Sequence, residues 1–288
     1  MKESTKSYLE VHLAVFLFGM TGLFGKFLSI SPLIIVLGRV FVSAIFIFIW
    51  LKIKKESIKL NTKQDINSLI INGILLAIHW TTFFASIQLS NVAIGLLTFS
   101  TFPVFVSFFK PIINKEKISG KEILFGLITI VGILFIVPLN DVFSDTMTGA
   151  LIGVFSGGIY SVFTIFNEKL VQTYTGRKVA FYEQVVASIF LLPSLFIIRP
   201  LVTGQDIFFI VLLGTIFTGF AHTIFINGLK NVSAYMASII TMIEPLYSIV
   251  LAYIFLGEVL NLGTFIGGFI ILSTVVIISL DNLKANIS

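Results

Sequence analysis

The stretch GLKNVSAYMASIITMIEP, residues 228–245, is matched in register by SIQLSNVAIGLLTFSTFP, residues 86–103. Pro245 is followed thirteen residues later by Glu258, and Pro103 is followed thirteen residues later by Glu116. One offset of 142 residues superposes both pairs and also brings Gly126 onto Gly268. The two halves of the chain are therefore predicted to be copies of one structural unit.

The composition indicates a protein built for lipid. Of the 288 residues, 57% are hydrophobic and 11% are charged, and the mean hydropathy is +1.05. A soluble globular chain carries roughly 25% charged residues. The net charge of +5 does not suggest nucleic acid, because the lysines lie in loops between apolar stretches, where they act as topology signals and contact anionic headgroups.

Neither disulfides nor thiolate metal sites are expected, because the chain has no cysteine. The sequence also predicts no metal site or cofactor of another kind. The first apolar stretch is expected to be a retained helix, since it is long, carries Glu10 and His12 near its start, and lacks a small-residue cleavage site.

Ten apolar stretches are long enough to cross a bilayer, which needs about twenty residues per helix. Their backbone polar groups must be satisfied internally, so each is predicted to be a helix. We number them spans 1 to 10, with predicted bounds 9–29, 33–52, 67–89, 91–112, 120–138, 147–169, 179–198, 206–228, 231–256 and 260–280.

The predicted fold is an all-α integral membrane protein with ten transmembrane helices, arranged as two inverted five-helix repeats around a central cavity. Residues 1–142 form the first repeat and residues 143–288 the second, within one integrated membrane domain. An odd number of crossings per repeat forces the second copy to lie upside down. Inverted repeats of broken or kinked helices are typical of alternating-access carriers.

The basic residues predict that both termini face the cytoplasm. If every span crosses, one side carries Lys2, Lys6, Lys52, Lys54, Lys55, Lys59, Lys63, Lys115, Lys117, Lys121, Lys169, Arg177, Lys178, Lys230 and Lys284. The other side carries Asp141, Asp145, Asp206 and Glu258, with Arg199 as the exception. The predicted location is therefore the cytoplasmic membrane, with multiple crossings.

The duplicated motif resembles the drug/metabolite transporter superfamily, specifically its EamA-type ten-helix members. Gly19 in span 1 and Arg39, a few residues after Pro32 in span 2, add to the resemblance, which covers essentially the whole chain. It implies a substrate cavity between the halves and export of small metabolites or amino acids. Spans 1, 3, 4, 6, 8 and 9 would line that cavity, with spans 5 and 10 at the periphery.

The two repeats depart from one another at two positions of the motif. Lys115 stands before Glu116, where the second repeat has Gly257, and Phe102 stands before Pro103, where the second repeat has Glu244. The two halves are therefore chemically unequal.

Glu244, near the middle of span 9, is the first candidate for substrate binding. An ionised carboxylate there costs on the order of 2.5–3.5 kcal/mol on insertion scales. Pro245 cannot donate to the preceding turn, which frees a carbonyl at similar depth. The carboxylate would bind a cationic group or hold a proton; alternatively it is a protonated acid bonded to a neighbouring helix. Pro103 and Pro245 are predicted helix hinges.

His79 and Trp80 lie deep in span 3, and the offset sets Trp80 opposite His222 in span 8. Histidine titrates near neutral pH, and an indole suits organic cations or aromatic groups. Each is predicted to line the cavity, and each histidine has the alternative of a structural bond to a hydroxyl. Proton coupling through Glu244, His79 or His222 is possible. The aromatic candidates for substrate contact are Phe83, Phe99, Tyr160, Phe163 and Tyr235.

Four further polar residues are predicted to be structural. Arg39, about 10 Å inside span 2, either meets an anionic substrate group or links to a helix end or to Glu183. Glu183 is expected to be solvated near the cytoplasmic face. Glu116 and Glu258 are expected to cap the helices that follow them. Lys26, by contrast, is expected to anchor the outer end of span 1 by snorkelling.

The predicted function is a secondary transporter that moves a small metabolite, an amino acid or a related organic solute, by alternating access and in the export direction. The alternatives are a membrane-embedded enzyme and a broad-specificity exporter of organic cations or drugs. A catalytic role is not expected, because no HExxH pair and no cysteine are present. The expected partners are a small-molecule substrate and the lipid bilayer, without nucleic acid, as a monomer or a homodimer.

Overall fold

The computed structural model describes residues 3–115, 120–137 and 144–285, and all regular structure in those ranges is helical. The helices are α1 Glu3–Phe27, α2 Pro32–Ile53, α3 Lys63–Leu89, α4 Val92–Phe99, α5 Phe102–Asn114, α6 Gly120–Ile136, α7 Asp145–Leu170, α8 Gly176–Leu191, α9 Pro193–Ile198, α10 Gly204–Gly214, a π-helical segment Thr215–Phe220, α11 Ala221–Gly228, α12 Ala234–Thr241, α13 Glu244–Leu256 and α14 Leu262–Ala285.

These segments account for ten apolar spans. Eight runs of helix are long and apolar enough to cross a membrane, and two shorter apolar helices, Ile123–Ile136 and Leu262–Ile277, lie at the positions of spans 5 and 10. The predicted fold class is confirmed: the chain is a multi-pass, all-helical membrane protein in two repeats.

Spans 4 and 9, each predicted as one helix with a hinge at its proline, are broken just before that proline. Span 4 is interrupted at Ser100–Thr101 between α4 and α5, and span 9 at Met242–Ile243 between α12 and α13. Each proline then sits in the first turn of the second half. A proline lacks the N–H that would continue the ladder but is tolerated at a helix start. Both breaks follow from that property.

The pairing of half-helices shows that the repeats are inverted. The first half of span 4 packs on the second half of span 9, and the second half of span 4 packs on the first half of span 9. Two spans that meet in this way run antiparallel. Spans 5 and 10 also run antiparallel, because Gly132 approaches Gly267 while Phe135 approaches Gly263.

Other helix contacts also have an equivalent in which the first and second repeats change places. α3 packs on α7, and the equivalent spans 8 and 1 pack through α11 and α1. The helix caps repeat as well: Asn91 caps α4 and Ser233 caps α12 at the offset of 142, each accepting a backbone N–H with its side chain. Local sequence signals and tertiary packing therefore share one pseudo-twofold relationship.

Contacts between the loops and the adjoining helix ends fall into two separate sets, as ten crossings require. On one side the Glu56 carboxylate accepts from Arg177 Nε at 2.8 Å, and Lys110 Nζ donates to Glu168 at 2.8 Å. On the other side Lys26 Nζ donates to the Ser90 carbonyl at 2.9 Å. The loops after even-numbered spans form the first set, and those after odd-numbered spans form the second.

Two predicted roles on the second side are corrected. Glu258 does not cap α14: its carboxylate accepts from the Val92 N–H at 3.0 Å, at the start of α4, and the Asn261 side chain caps α14 instead. Burial raises the pKa of Glu258, and the Val92 N–H and Lys26 offset this in part. Lys26 is half-buried and bonded to carbonyls rather than snorkelling freely. Glu116 lies outside the described residues.

Candidate functional site

A small cavity lies between the two repeats, near the middle of the spans. Its volume is about 30 Å³, room for about two water molecules. Residues from α1, α2, α3, α4, α7, α11 and α13 line it, and these are Phe18, Thr21, Arg39, His79, Trp80, Phe83, Phe99, Tyr160, His222 and Glu244. An organic solute therefore requires the wall to move.

Two larger crevices, of about 280 and 240 Å³, lie between spans 4 and 5 and between spans 9 and 10. Their linings are related by the offset of 142, as Phe108 and Val250 or Gly126 and Gly268 illustrate. Nearly every lining side chain is apolar, and many neighbouring side chains are exposed on the outer surface of the helices. They therefore face lipid, and the central cavity is the candidate site.

Glu244 is the first residue of α13 and reaches the cavity from the break in span 9. It is 4% exposed, and no described residue forms a hydrogen bond or ion pair with its carboxylate. The N-terminus of α13 offers the positive end of a helix dipole at this point. A carboxylate at this depth that has no partner within the described part of the chain is available to a ligand or a proton.

Gly19 brings α1 against α13 beside Glu244. A Cβ at Gly19 would lie 2.8 Å from Tyr247 Cβ and 3.4 Å from the Glu244 carbonyl oxygen. The Ser248 hydroxyl donates to the Gly19 carbonyl at 2.5 Å and fixes the same contact. Only glycine permits this approach, so the small residue in span 1 is explained by the site it supports.

Arg39 enters the cavity from α2 and is 1% exposed. Its Nε donates to the Thr218 hydroxyl at 2.8 Å, and its Cζ lies 3.9 Å from the centre of the Trp80 ring. Nη1 is buried without a hydrogen-bond partner, and no carboxylate in the described ranges comes within 4.0 Å. The predicted link from Arg39 to Glu183 is absent, and the guanidinium has free donors.

The π-helical segment of span 8 provides the Arg39 anchor. Thr218 lies inside Thr215–Phe220, and Gly214 and Gly219 at its ends pack closely against Val42 and Phe46 of α2. A π turn shifts the register of the side chains that follow it, and such segments are frequent at functional sites. No proline or other local signal marks this one, so the sequence alone did not reveal it.

A chain of polar contacts runs from the cavity into the wall behind it. The Trp80 and His222 rings meet edge to face at 5.2 Å. His222 Nε2 lies 3.2 Å from Glu183 Oε2, and Asn72 Nδ2 donates to Glu183 Oε1 at 2.7 Å. The expectation that Glu183 is solvated is wrong, because it is fully buried. Both of its oxygens are engaged, so its role is structural.

The bonds of His79 determine which of its ring nitrogens carries the proton. The Ser156 hydroxyl donates to the His79 carbonyl at 2.9 Å, and His79 Nδ1 lies 2.8 Å from the same hydroxyl oxygen. One hydroxyl proton cannot serve both, so Nδ1–H donates to Ser156. In the neutral ring, Nε2 then carries a lone pair that can accept a hydrogen bond.

The remaining wall of the cavity is aromatic. The Tyr160 ring lies 4.5 Å from the His79 ring and 5.4 Å from Phe99, and Phe83 lies 5.4 Å from Phe99. Phe163 stands behind this wall, stacked on His222 at 5.6 Å. Rings at these separations attract one another.

The structure brings most of the predicted contact residues to one cavity, namely Glu244, His79, Trp80, His222, Phe83, Phe99 and Tyr160. Phe163 and Tyr235 do not line it; the Tyr235 ring lies 4.9 Å from Lys110 Nζ. Phe18 and Thr21 line the cavity and were not predicted. Their signal was weak, since one phenylalanine among 31 and one threonine carry little information.

Comparison with known proteins points in one direction. The model of the EamA-like transporter family matches residues 5–137 and again residues 147–280. An uncharacterized transporter of Clostridium kluyveri is 27% identical over 247 residues, covering 81% of this chain and 78% of that protein. The uncharacterized inner membrane transporter YicL of Salmonella typhimurium is 25% identical over 300 residues, covering 98% of each.

A solved crystal structure of another protein has the same fold. It superposes with a TM-score of 0.68 at 14% sequence identity, covering 93% of this chain and 96% of that one. At this identity the likeness concerns the fold alone.

Proposed function

The chain belongs to the EamA-like transporter family, and on that premise we propose that it exports a small organic metabolite, an amino acid or a related solute, by alternating access. The substrate binds in the central cavity while that cavity is open to one side. The two repeats then rock, with spans 4 and 9 bending at their breaks, and the cavity opens to the other side.

One observation carries this proposal. A carboxylate, a guanidinium and two imidazoles converge on a single cavity at bilayer depth, between two inverted repeats. Ionisable groups inside a membrane domain are costly and mark substrate or ion pathways. A scaffold protein gives no reason to keep them there. The relatives are named as transporters rather than enzymes, which supports the same class.

Export of organic cations is the second candidate function. An unpaired carboxylate, Glu244, with Trp80, Phe99 and Tyr160 in the same cavity is a chemistry that attracts an ammonium group. The two candidates share the cavity and differ in whether the solute also carries a negative charge.

We place the protein in the cytoplasmic membrane with both termini inside, on the distribution of lysines. The absence of native cysteine makes this testable. Ser57→Cys and Leu201→Cys create exposed thiols in loops on opposite sides. A membrane-impermeant maleimide added to whole cells should label Leu201→Cys and spare Ser57→Cys until the cells are opened; the reverse pattern inverts the topology.

Solute flux is tested with the full chain reconstituted in liposomes. Vesicles loaded with an amino acid should accumulate labelled amino acid from outside by exchange, with saturable kinetics. Glu244→Gln should lower the rate, and Glu3→Gln, an exposed residue at the start of α1, serves as the matched control. If no saturable exchange occurs for amino acids, nucleosides, sugars or organic cations in folded protein, the transporter proposal fails.

Alternating access is tested at Thr21, which lines the cavity. A Thr21→Cys thiol should react with impermeant reagents from either side of the membrane, and substrate should change the two rates in opposite directions. A channel would let the reagent pass from one side to the other and would give no such anticorrelation.

A further inference from the structure

We propose that Arg39 and Glu244 determine specificity by binding opposite charges of one zwitterionic solute, with its negative group on Arg39 and its ammonium group on Glu244. This rests on the proposed function and names the charge pattern that the cavity selects. It predicts that solutes carrying only a positive charge bind the site weakly.

The first step is the contrast between the two buried glutamates. Glu183 has both carboxylate oxygens engaged, by His222 and by Asn72, and does not line the cavity. Glu244 lines the cavity and has no partner among the described residues. A protein that can satisfy one carboxylate completely at this depth has left the other open, which is the arrangement that an incoming ammonium group completes.

The second step is the incomplete pairing of Arg39. Nε is held by Thr218, and the plane is supported by Trp80, so the guanidinium has a fixed orientation. Nη1 has no partner and the residue is 1% exposed. Guanidinium donors are arranged to meet a carboxylate with two parallel hydrogen bonds. A buried and oriented guanidinium with an unsatisfied Nη1 is therefore a receptor for an anionic group.

The third step is that the two groups do not pair with each other. No ion pair within 4.0 Å joins Arg39 to Glu244, although both line one cavity. A carboxylate and a guanidinium in one low-dielectric site attract strongly when both are charged, so a site that keeps them unpaired must hold each of them in place. Thr218 of span 8 holds Arg39, and the start of α13 holds Glu244, so the separation of the two groups is built into the fold. The cavity of about 30 Å³ is smaller than an amino acid, so a zwitterion binds between the two groups once the wall has moved.

The fourth step concerns the two repeats. Arg39 belongs to the first repeat and Glu244 to the second. A solute that binds both groups at once links the repeats, whereas a solute with one charge contacts one repeat only. Arg39 also repels a cation that brings no negative group, since both would be desolvated together. The cavity therefore favours the zwitterion over the corresponding amine.

The experiment compares an amino acid with two analogues that have the same side chain, one without the carboxylate and one without the amino group. Melting temperatures of the full chain in lipid nanodiscs are measured with alanine, leucine and phenylalanine, because ligand binding raises the melting temperature. For the amino acid that binds most tightly, the measurement is repeated with its decarboxylated amine and with its deaminated acid. The amino acid should bind about 10- to 100-fold more tightly than either analogue, the range expected for losing a charged hydrogen-bonding group.

The variants separate binding from general damage to the site. Arg39→Gln should weaken binding of the amino acid and the acid and strengthen binding of the amine, because the charge that repels a lone cation is gone. Glu244→Gln should weaken binding of the amino acid and the amine and strengthen binding of the acid for the matching reason. Arg199→Gln, at an exposed arginine between α9 and α10, and Glu3→Gln are the matched controls and should change none of them. A structural role would shift all three ligands together.

The outcomes separate this proposal from the proposed function. If wild-type protein binds the amine as tightly as the amino acid, or if both variants weaken all three ligands equally, the charge assignment is overturned while transport stands. If the protein exchanges sugars or nucleosides but binds none of the three amino acids, the proposal that the solute is a zwitterion is overturned while transport stands. The comparison of wild-type ligands remains decisive if Arg39→Gln does not fold.

Discussion

Lys115 and Gly257 end equivalent helices in the same left-handed backbone conformation, with φ of 61° and 66°. Lys115 follows α5 and Gly257 follows α13, at the offset of 142 that relates the repeats. Glycine adopts this conformation freely at a helix end, whereas a residue with a Cβ is strained there. Both repeats have the same backbone turn, although only the second has the residue suited to it.

Replacing the strained residue should therefore stabilise the protein. Lys115→Gly is expected to increase the free energy of unfolding by about 1 kcal/mol, because glycine carries no left-handed penalty. The measurement is reversible unfolding in mixed micelles.

The reciprocal change provides the control. Gly257→Ala should destabilise by about the same amount, since nothing lies within 4 Å of the added Cβ and only the backbone is affected. Equal stability for Lys115→Gly and wild type would show that the turn at Lys115 is not strained.

A second prediction concerns the polar contacts behind the cavity. Asn72→Leu removes the donor to Glu183 Oε1 and should destabilise the protein by about 1–3 kcal/mol, because a buried carboxylate oxygen loses its partner. Gln172→Leu, at an exposed amide, should change stability by less than about 0.5 kcal/mol. Similar losses for the two variants in thermal or chemical unfolding would contradict the assigned role of Asn72.

The fold could be predicted because its signals are local and repeated. Ten apolar stretches define the spans, and the constant offset, marked by two prolines, defines the inverted repeats and the positions that face one another. The contact between Trp80 and His222 follows from that offset. The breaks before Pro103 and Pro245 were foreseen as bends, since proline has a known backbone consequence.

The chemistry of the site was less accessible, because it depends on distant partners. Glu183 looks like a solvated residue near a span end until Asn72, 111 residues away, is placed beside it. Arg39 looks structural until Thr218 is shown to satisfy only one of its nitrogens. Sequence pattern gives the depth of a polar residue, but whether its partners are complete is decided by tertiary packing.

The third prediction is a pH dependence from the loop between spans 2 and 3. Burial would raise the pKa of Glu56, but hydrogen bonds from Arg177 and Thr175 and the nearby positive charges outweigh it, so its pKa lies below the ordinary value. The unfolded chain then binds the proton more readily, and stability rises with pH. The ionised Glu56 carboxylate contributes fully to the stability of the folded protein above the ordinary carboxyl pKa of about 4.3. This stabilisation is lost as the pH falls through the lower pKa that Glu56 has in the folded state.

The measurement for Glu56 is the melting temperature between about pH 6 and pH 3. Wild-type protein should lose stability in the acid part of this range more steeply than Glu56→Gln, which carries no titrating group. Above pH 5 or so, the variant should be the less stable of the two. If melting temperature depends on pH in the same way for both proteins, Glu56 does not contribute to the pH dependence of stability.

The fourth prediction concerns the orientation of the His79 ring. Ser156→Ala removes the acceptor of the Nδ1 proton, so the ring loses its fixed tautomer and Nε2 is no longer reserved as an acceptor. Exchange in liposomes should slow several-fold, with a loss of stability of about 1–3 kcal/mol because the Ser156 hydroxyl makes both of these hydrogen bonds. Ser161→Ala, whose hydroxyl bonds only within its own helix, is the control. Equal rates for both variants would show that the tautomer does not matter.

The last prediction tests the breaks as hinges. Pro245→Ala restores an N–H in the first turn of α13, where a continuous helix through Met242–Ile243 becomes possible and bending becomes costlier. The exchange rate should fall several-fold while the affinity for solute, measured by melting temperature, changes little, because Glu244 keeps its place. Pro111→Ala provides the matched control, since Pro111 lies inside α5, where the helix runs on without a break. Should Pro111→Ala slow exchange as much as Pro245→Ala, or should Pro245→Ala weaken binding and leave the rate intact, the break in span 9 positions Glu244 and does not act as a hinge.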